Sequence, residues 1–149
     1  MTDYIEVVNV VQNIFIGADE RDWQMVHASF APRVLLDYTS MTGGKPTELV
    51  PEQIIDAWKA LLPGFQATQH QLGNFKTVVQ ENKADVFCYG TATHYLPNPS
   101  NQNVWTVVGT YLFQLIKKDN EWKVSRMKFN FKYQDGNLEL PKLATEKVK

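Results

Sequence analysis

Four long runs of alternating apolar and polar residues, 67–80, 84–96, 104–116 and 122–133, constrain this chain more than any other feature. Successive side chains of a strand point to opposite faces, so a run that repeats every second residue buries one face and wets the other. Glu81-Asn82-Lys83, the loop Pro97-Asn98-Pro99-Ser100-Asn101 and the turn at 117–120 separate the runs. Four such strands in succession describe a meandering antiparallel sheet. Gly73 marks a bulge in the first strand. In the second, Val86, Cys88, Gly90, Ala92 and His94 share a face.

The first half of the chain has the helical period instead. Tyr4, Val7, Val8, Val11, Ile14 and Phe15 predict a helix over 4–16, with Asp3 and Glu6 as a capping pair and Gly17 as its stop. A second helix is expected over 22–30, with Asp22 as N-cap, Trp23, Val26 and Phe30 on one side, and Pro32 after its end. Residues 34–39 read as a strand that places Val34, Leu36 and Tyr38 on one face and Asp37 on the other, away from any pocket. Gly43, Gly44 and Pro46 mark 41–48 as a loop. Pro51 opens a third helix with the stripe Ile54, Ile55, Trp58, Leu61 and Leu62, closed by Pro63-Gly64. From Leu140 onward the polar composition predicts a mobile tail.

Helices gathered ahead of long antiparallel strands define an α+β class. The expected architecture is three N-terminal helices on a strongly curved, mostly antiparallel sheet, a cone with an internal pocket. No repeat or linker interrupts residues 1–149, so one domain is expected, with its core over about 4–133.

Composition narrows the function classes. The chain is 44% apolar and 21% charged, as in ordinary globular proteins, with a formal net charge of −1. Its arginines are Arg21, Arg33 and Arg126 alone, so there is no electrostatic case for a nucleic-acid or anionic-membrane partner. No apolar run approaches the ~18 residues of a membrane helix. Met1-Thr2-Asp3-Tyr4 lacks the basic character of a secretory signal, so a cytoplasmic location is expected. Cys88 is the single cysteine and lies in a strand-like run, which suits a buried, inert thiol.

Two of the three histidines fall in strands, His70 in Ala-Thr-Gln-His-Gln-Leu-Gly and His94 in Gly-Thr-Ala-Thr-His-Tyr-Leu. His27 sits mid-helix beside Val26 and is read as structural or surface. Asp19 follows the first helix. Imidazole changes charge nearest neutral pH, and two imidazoles near a carboxylate in an apolar cone would form a proton-transfer site. The plainer readings are a strand histidine bonded to a backbone carbonyl, a helix-capping Asp19 and a core-packing Tyr38. Trp58, Trp105 and Trp122 are expected as core or interface aromatics. Two histidines and a carboxylate are also the donor set of a facial iron site, but nothing in the spacing favours one.

These residues, in this order, resemble the nuclear-transport-factor-2-like superfamily, and more closely its SnoaL-like and scytalone-dehydratase-like branch. The resemblance is carried by Asp19-Glu-Arg-Asp-Trp23, Phe30-Ala-Pro32, Leu36-Asp37-Tyr38, Thr68-Gln-His70, His94, Gly109 and Trp122-Lys-Val. It implies catalysis by two histidines and an aspartate without metal or organic cofactor. Asp19 would partner His94, His70 would be the second histidine, and Tyr38 would be one of two tyrosines that orient substrate or water. Ala18 stands at the other tyrosine position, and Thr110 and Leu112 stand where serine and asparagine touch substrate in the resembled enzymes. The implied function is a cofactor-free dehydratase, isomerase or cyclase acting on a small hydrophobic hydroxy-carbonyl compound. The alternative is a non-catalytic module that binds a small molecule or a protein on the same cone.

Along 104–116, Trp105, Val107, Tyr111, Phe113 and Leu115 alternate with Thr106, Val108 and Thr110. Such a strand has one face to line the cone and another that needs cover. A homo-oligomer is therefore expected, a dimer ahead of a trimer.

Overall fold

The computed structural model describes Thr2–Lys149. Val7, Val11, Ile14 and Phe15 recur at helical spacing and bury one side of α1 (Thr2–Glu20). Gly17 does not stop this helix. A Cβ there would lie 2.8 Å from Val26 Cγ2, so the glycine instead lets α2 (Trp23–Ser29) close onto α1. The helix ends one turn later, at Arg21, whose φ of 59° is left-handed. The Asp22 amide donates to Gly17 O (2.8 Å) and the Arg21 amide to Ala18 O (3.3 Å), the paired bonds of a Schellman ending. Asp22 caps α2 as expected, accepting the Met25 amide at 3.1 Å.

β1 (Phe30–Asp37) starts earlier than the sequence suggests, and Tyr38 lies just past its end. The Asp37 carboxylate accepts the Thr39 amide (3.0 Å) and hydroxyl (2.7 Å) and so starts the short helix α3 (Thr39–Thr42). Residues 41–48, expected as a loop, hold the end of α3 and most of β2 (Thr47–Leu49), an edge strand antiparallel to β1. Its pairing is non-local, so the glycine-rich stretch beside it masked it. α4 (Pro51–Lys59) buries Ile54 and Ile55, and a 3₁₀ turn at Leu62–Gly64 closes this half of the chain.

β3 (Ala67–Gln80), β4 (Lys83–Tyr95), β5 (Val104–Lys118) and β6 (Glu121–Gly136) then form the antiparallel meander. The six-stranded sheet has the order β2-β1-β6-β5-β4-β3, in which β1 pairs parallel with β6. The β3 bulge lies between Gly73 and Lys76. The register sets Thr68 opposite His94 and His94 opposite Trp105. Val86, Phe113, Leu115, Val124 and Met127 are almost fully buried from the sheet, facing Val7, Val11 and Ile14 of α1. Each such side chain contributes about 1.5–3 kcal/mol by leaving water. Tyr89, Leu112 and Tyr133 remain exposed.

The C-terminal segment is not a mobile tail. Residues Leu140–Val148 form α5, in which Leu140 and Ala144, one turn apart, are fully buried. α5 packs on the 3₁₀ turn so closely that a Cβ on Gly64 would overlap the Ala144 carbonyl. Among the described residues no helix is long and apolar enough to cross a membrane.

Candidate active site

The concave face of the sheet, α1 and α4 enclose a cavity of about 220 Å³. Phe15, Trp58, Trp105, Val107 and Phe129 make its wall largely aromatic and apolar, and Met41, Leu61 and Leu62 complete it. Among the described residues no lysine, arginine, aspartate or glutamate lines it. Polar function is confined to His70, His94, Tyr38 and Tyr111, because the Trp105 indole N–H is spent on Gln134 Oε1 (2.9 Å).

Asp19 lies in the last turn of α1, where it meets β3. Thr68 and His70, two residues apart, point from that strand to the same side. His70 Nδ1 stands 2.7 Å from Asp19 Oδ1, and the His70 backbone amide donates to Oδ2 at 2.7 Å. The Thr68 hydroxyl donates to Oδ1 at 3.0 Å. A carboxylate only accepts, so Nδ1 of His70 carries a hydrogen, and the neutral ring is the tautomer with Nε2 bare. Both side chains are largely buried, His70 14% and Asp19 12% exposed.

His94 projects from β4 beside this pair, its ring centroid 6.0 Å from that of His70 and edge-on to it. Its Nδ1 donates to Trp105 O at 2.9 Å, and its ring lies between Trp105 (4.2 Å) and Phe65 (4.9 Å). Burial pushes its pKa down to about 4, against the pull of the Trp105 carbonyl. His94 is therefore neutral at pH 7, with Nε2 an acceptor. Among the described residues the one buried side-chain polar atom without a partner is Thr77 Oγ1. Neither Nε2 has a hydrogen-bond partner among the described residues, and both imidazoles line the cavity.

The expected pairing of Asp19 with His94 is corrected. α1 runs past Gly17 and delivers Asp19 to β3, so the carboxylate takes His70. His94, one strand further, has its Nδ1 taken by the β5 backbone. His27 lies outside the site, 3.5 Å from Glu52 on the surface.

Tyr38 lines the cavity opposite the histidines, half-buried against Phe129 (5.6 Å). Tyr111, which strand alternation turns inward with Val107 and Phe113, lines the cavity with it. Burial pushes both phenols well above their ordinary pKa, so both stay protonated donors. Ala18 lines the cavity, but the substrate-contact positions assigned to Thr110 and Leu112 are corrected. Neither lines it, and Leu112 is 44% exposed. The inward position between them is Tyr111, which alternation with Trp105 and Val107 reveals. Trp58 and Trp105 also line the site rather than serving as plain core. Cys88 is buried, and burial pushes its thiol up to about 12.

A cone of helices on a curled sheet around an apolar, histidine-bearing cavity defines the class of nuclear-transport-factor-2-like folds. The chain belongs to the SnoaL-like domain family, whose sequence model matches residues 1–128. No curated protein matches it at the sequence level. Among solved structures it is similar to the Kfla4162 protein of Kribbella flavida, at 22% identity and TM-score 0.86, over 96% of this chain and 97% of that one. A scytalone dehydratase candidate from Novosphingobium aromaticivorans aligns at 15% identity and TM-score 0.75, over 91% and 88%. The hexachlorocyclohexane dehydrochlorinase LinA-type3 of Novosphingobium barchaimii aligns at 15% and 0.76, over 92% and 91%. At these identities the likeness concerns the fold.

Proposed function

We propose that this protein is a cofactor-free general acid–base enzyme that eliminates water from, or isomerises, a small uncharged hydroxy-carbonyl compound. The observation that carries this reading is the 2.7 Å contact of Asp19 with His70 Nδ1, which leaves Nε2 bare against an apolar cavity. The names of two structural neighbours denote eliminations, of water and of hydrogen chloride. The cavity is smaller than the roughly 300–1,000 Å³ usual for drug-sized ligands, and no fixed charge lines it, so a compact, neutral, largely hydrophobic substrate suits it.

In the proposed step His70 Nε2 takes the hydrogen α to the carbonyl, and the C–H electron pair flows into an enolate. Tyr38 and Tyr111 donate to the oxygen that gains charge. Asp19 stabilises the imidazolium formed. His94 accepts the O–H hydrogen of the substrate's hydroxyl and holds that group near His70. As the enolate collapses to the conjugated alkene, the C–O bond breaks and the His70 Nε2 proton leaves with the hydroxyl as water, restoring the neutral ring. If the proton returns instead to another carbon, the same groups perform an isomerisation.

A thermal-shift screen of small aromatic and polyketide-like hydroxy-ketones identifies ligands, and absorbance then follows turnover. His70→Ala and Asp19→Asn should each lower the rate by roughly 10²–10⁴ without abolishing cooperative unfolding. Ligands that raise the melting temperature without turning over would favour the binding-module reading. Full activity in His70→Ala would end the acid–base reading.

A further inference from the structure

We propose that Arg21 is a positioning residue for the acid–base pair, acting through the Thr68 hydroxyl to lock the Asp19 carboxylate in the orientation that exposes His70 Nε2. The inference takes its catalytic meaning from the reading of Asp19 and His70 above. Arg21 does not line the cavity, and both terminal nitrogens of its guanidinium are bonded to the protein behind the dyad. Nη1 donates to Ala18 O (2.7 Å), to Thr68 Oγ1 (2.9 Å) and, at 3.3 Å, to Asp19 O. Nη2 donates to Leu62 O (2.6 Å).

The chemistry of arginine sets the direction of this chain. A guanidinium has no acceptor, so the Thr68 oxygen must accept from it, and the threonine's own hydrogen is left for Asp19 Oδ1, 3.0 Å away. Oδ1 thereby takes hydrogens from Thr68 and from His70 Nδ1, while Oδ2 takes the His70 amide. Held by three donors, the carboxylate cannot rotate to face His94 or solvent, and His70 cannot move its hydrogen to Nε2 without losing its partner. A neutral side chain at 21 would leave Thr68 free to turn its hydrogen elsewhere.

Two further observations separate this role from ordinary helix capping. Arg21 occupies the left-handed C′ position that glycine usually fills and that strains a residue with a Cβ. A glycine would end the helix equally well but would supply none of the four side-chain bonds. The guanidinium is also partly buried. Desolvation lowers its pKa, with Asp19 and Glu20 opposing that shift. The same group grips Leu62 O, the backbone of a cavity-lining residue, and so ties the wall to the dyad.

The test is long-range proton–nitrogen NMR of ¹⁵N-labelled protein, reading the His70 tautomer and its Nδ1–H resonance in wild type, Arg21→Met and Thr68→Val. Thr68→Val keeps the three carbonyl bonds of Arg21 and cuts only the link to Asp19, so it should fold where Arg21→Met does not. With Thr68 no longer holding Oδ1, the carboxylate is free to turn, so the His70–Asp19 bond loosens, the Nδ1–H resonance moves upfield in Thr68→Val and the Nε2–H tautomer gains population. A resonance and tautomer unchanged from wild type in Thr68→Val would overturn the proposal and leave Arg21 a helix clamp. No substrate enters this experiment, so a failure of the acid–base reading shows separately, as turnover retained in His70→Ala.

Discussion

His94 donates its Nδ1 hydrogen to the carbonyl oxygen of Trp105 and stacks its ring on the indole of that same residue, 4.2 Å between centroids. The two contacts fix both the tautomer and the plane of the imidazole. They also place it where protonation would strand a charge among aromatic rings, which is why it titrates at about 4 instead of 6.5.

The depressed His94 titration makes stability depend on pH. Between about pH 6.5 and 4 the unfolded chain binds a proton here that the folded one refuses, so stability falls as pH falls. The contribution is fully present above pH 6.5 and is lost by pH 4, about 3 kcal/mol in all. His94→Gln keeps a donor for Trp105 O and removes the titration. Urea unfolding across this range should show a flatter acid limb in the variant.

The phenol pair should stabilise an oxyanion that forms on an otherwise neutral bound ligand. Absorbance titration with 4-nitrophenol should show that the phenolate form is retained on binding in wild type. Tyr111→Phe should weaken the phenolate roughly tenfold or more, the worth of a hydrogen bond to a charged group, with little effect on the neutral form. Equal weakening of both forms would reduce Tyr111 to a packing residue.

Gly90 seats the Tyr111 ring. A Cβ on Gly90 would overlap Tyr111 Cε2, inside a β4–β5 pairing that fixes both backbones. Gly90→Ala should therefore destabilise the fold by about 1–3 kcal/mol in urea unfolding and impair nitrophenolate binding along with it.

The outward sheet face, where Tyr89, Leu112 and Tyr133 stand exposed, predicts association of identical copies. Sedimentation velocity should return more than one chain per particle, and Leu112→Asp should lower that mass while leaving the circular-dichroism spectrum unchanged. A monomeric wild type would remove this expectation.

The strands and their inward faces were legible because a period of two is local. The same alternation places His70, His94 and Tyr111 on the concave side, Tyr111 together with Trp105 and Val107. The partners of those residues were not legible. Which carboxylate meets which imidazole depends on where α1 ends, and Gly17, a stop signal on sequence, serves instead as the close contact with Val26. The hold of Trp105 on His94 depends on strand register. Arg21 stood in plain view within Asp19-Glu-Arg, but its bonds to Thr68 and Leu62 cross more than forty residues. Leu140 and Ala144 carried the spacing of a docked helix amid charges that concealed it.

A Cβ on Gly64 would overlap the Ala144 carbonyl, so the final helix is seated directly against the turn that carries Leu62, a residue of the cavity wall. A pocket assembled from the middle of the chain is thus braced from outside by its last residues. Trimming them would leave Leu62 and the guanidinium that grips its carbonyl without that backing.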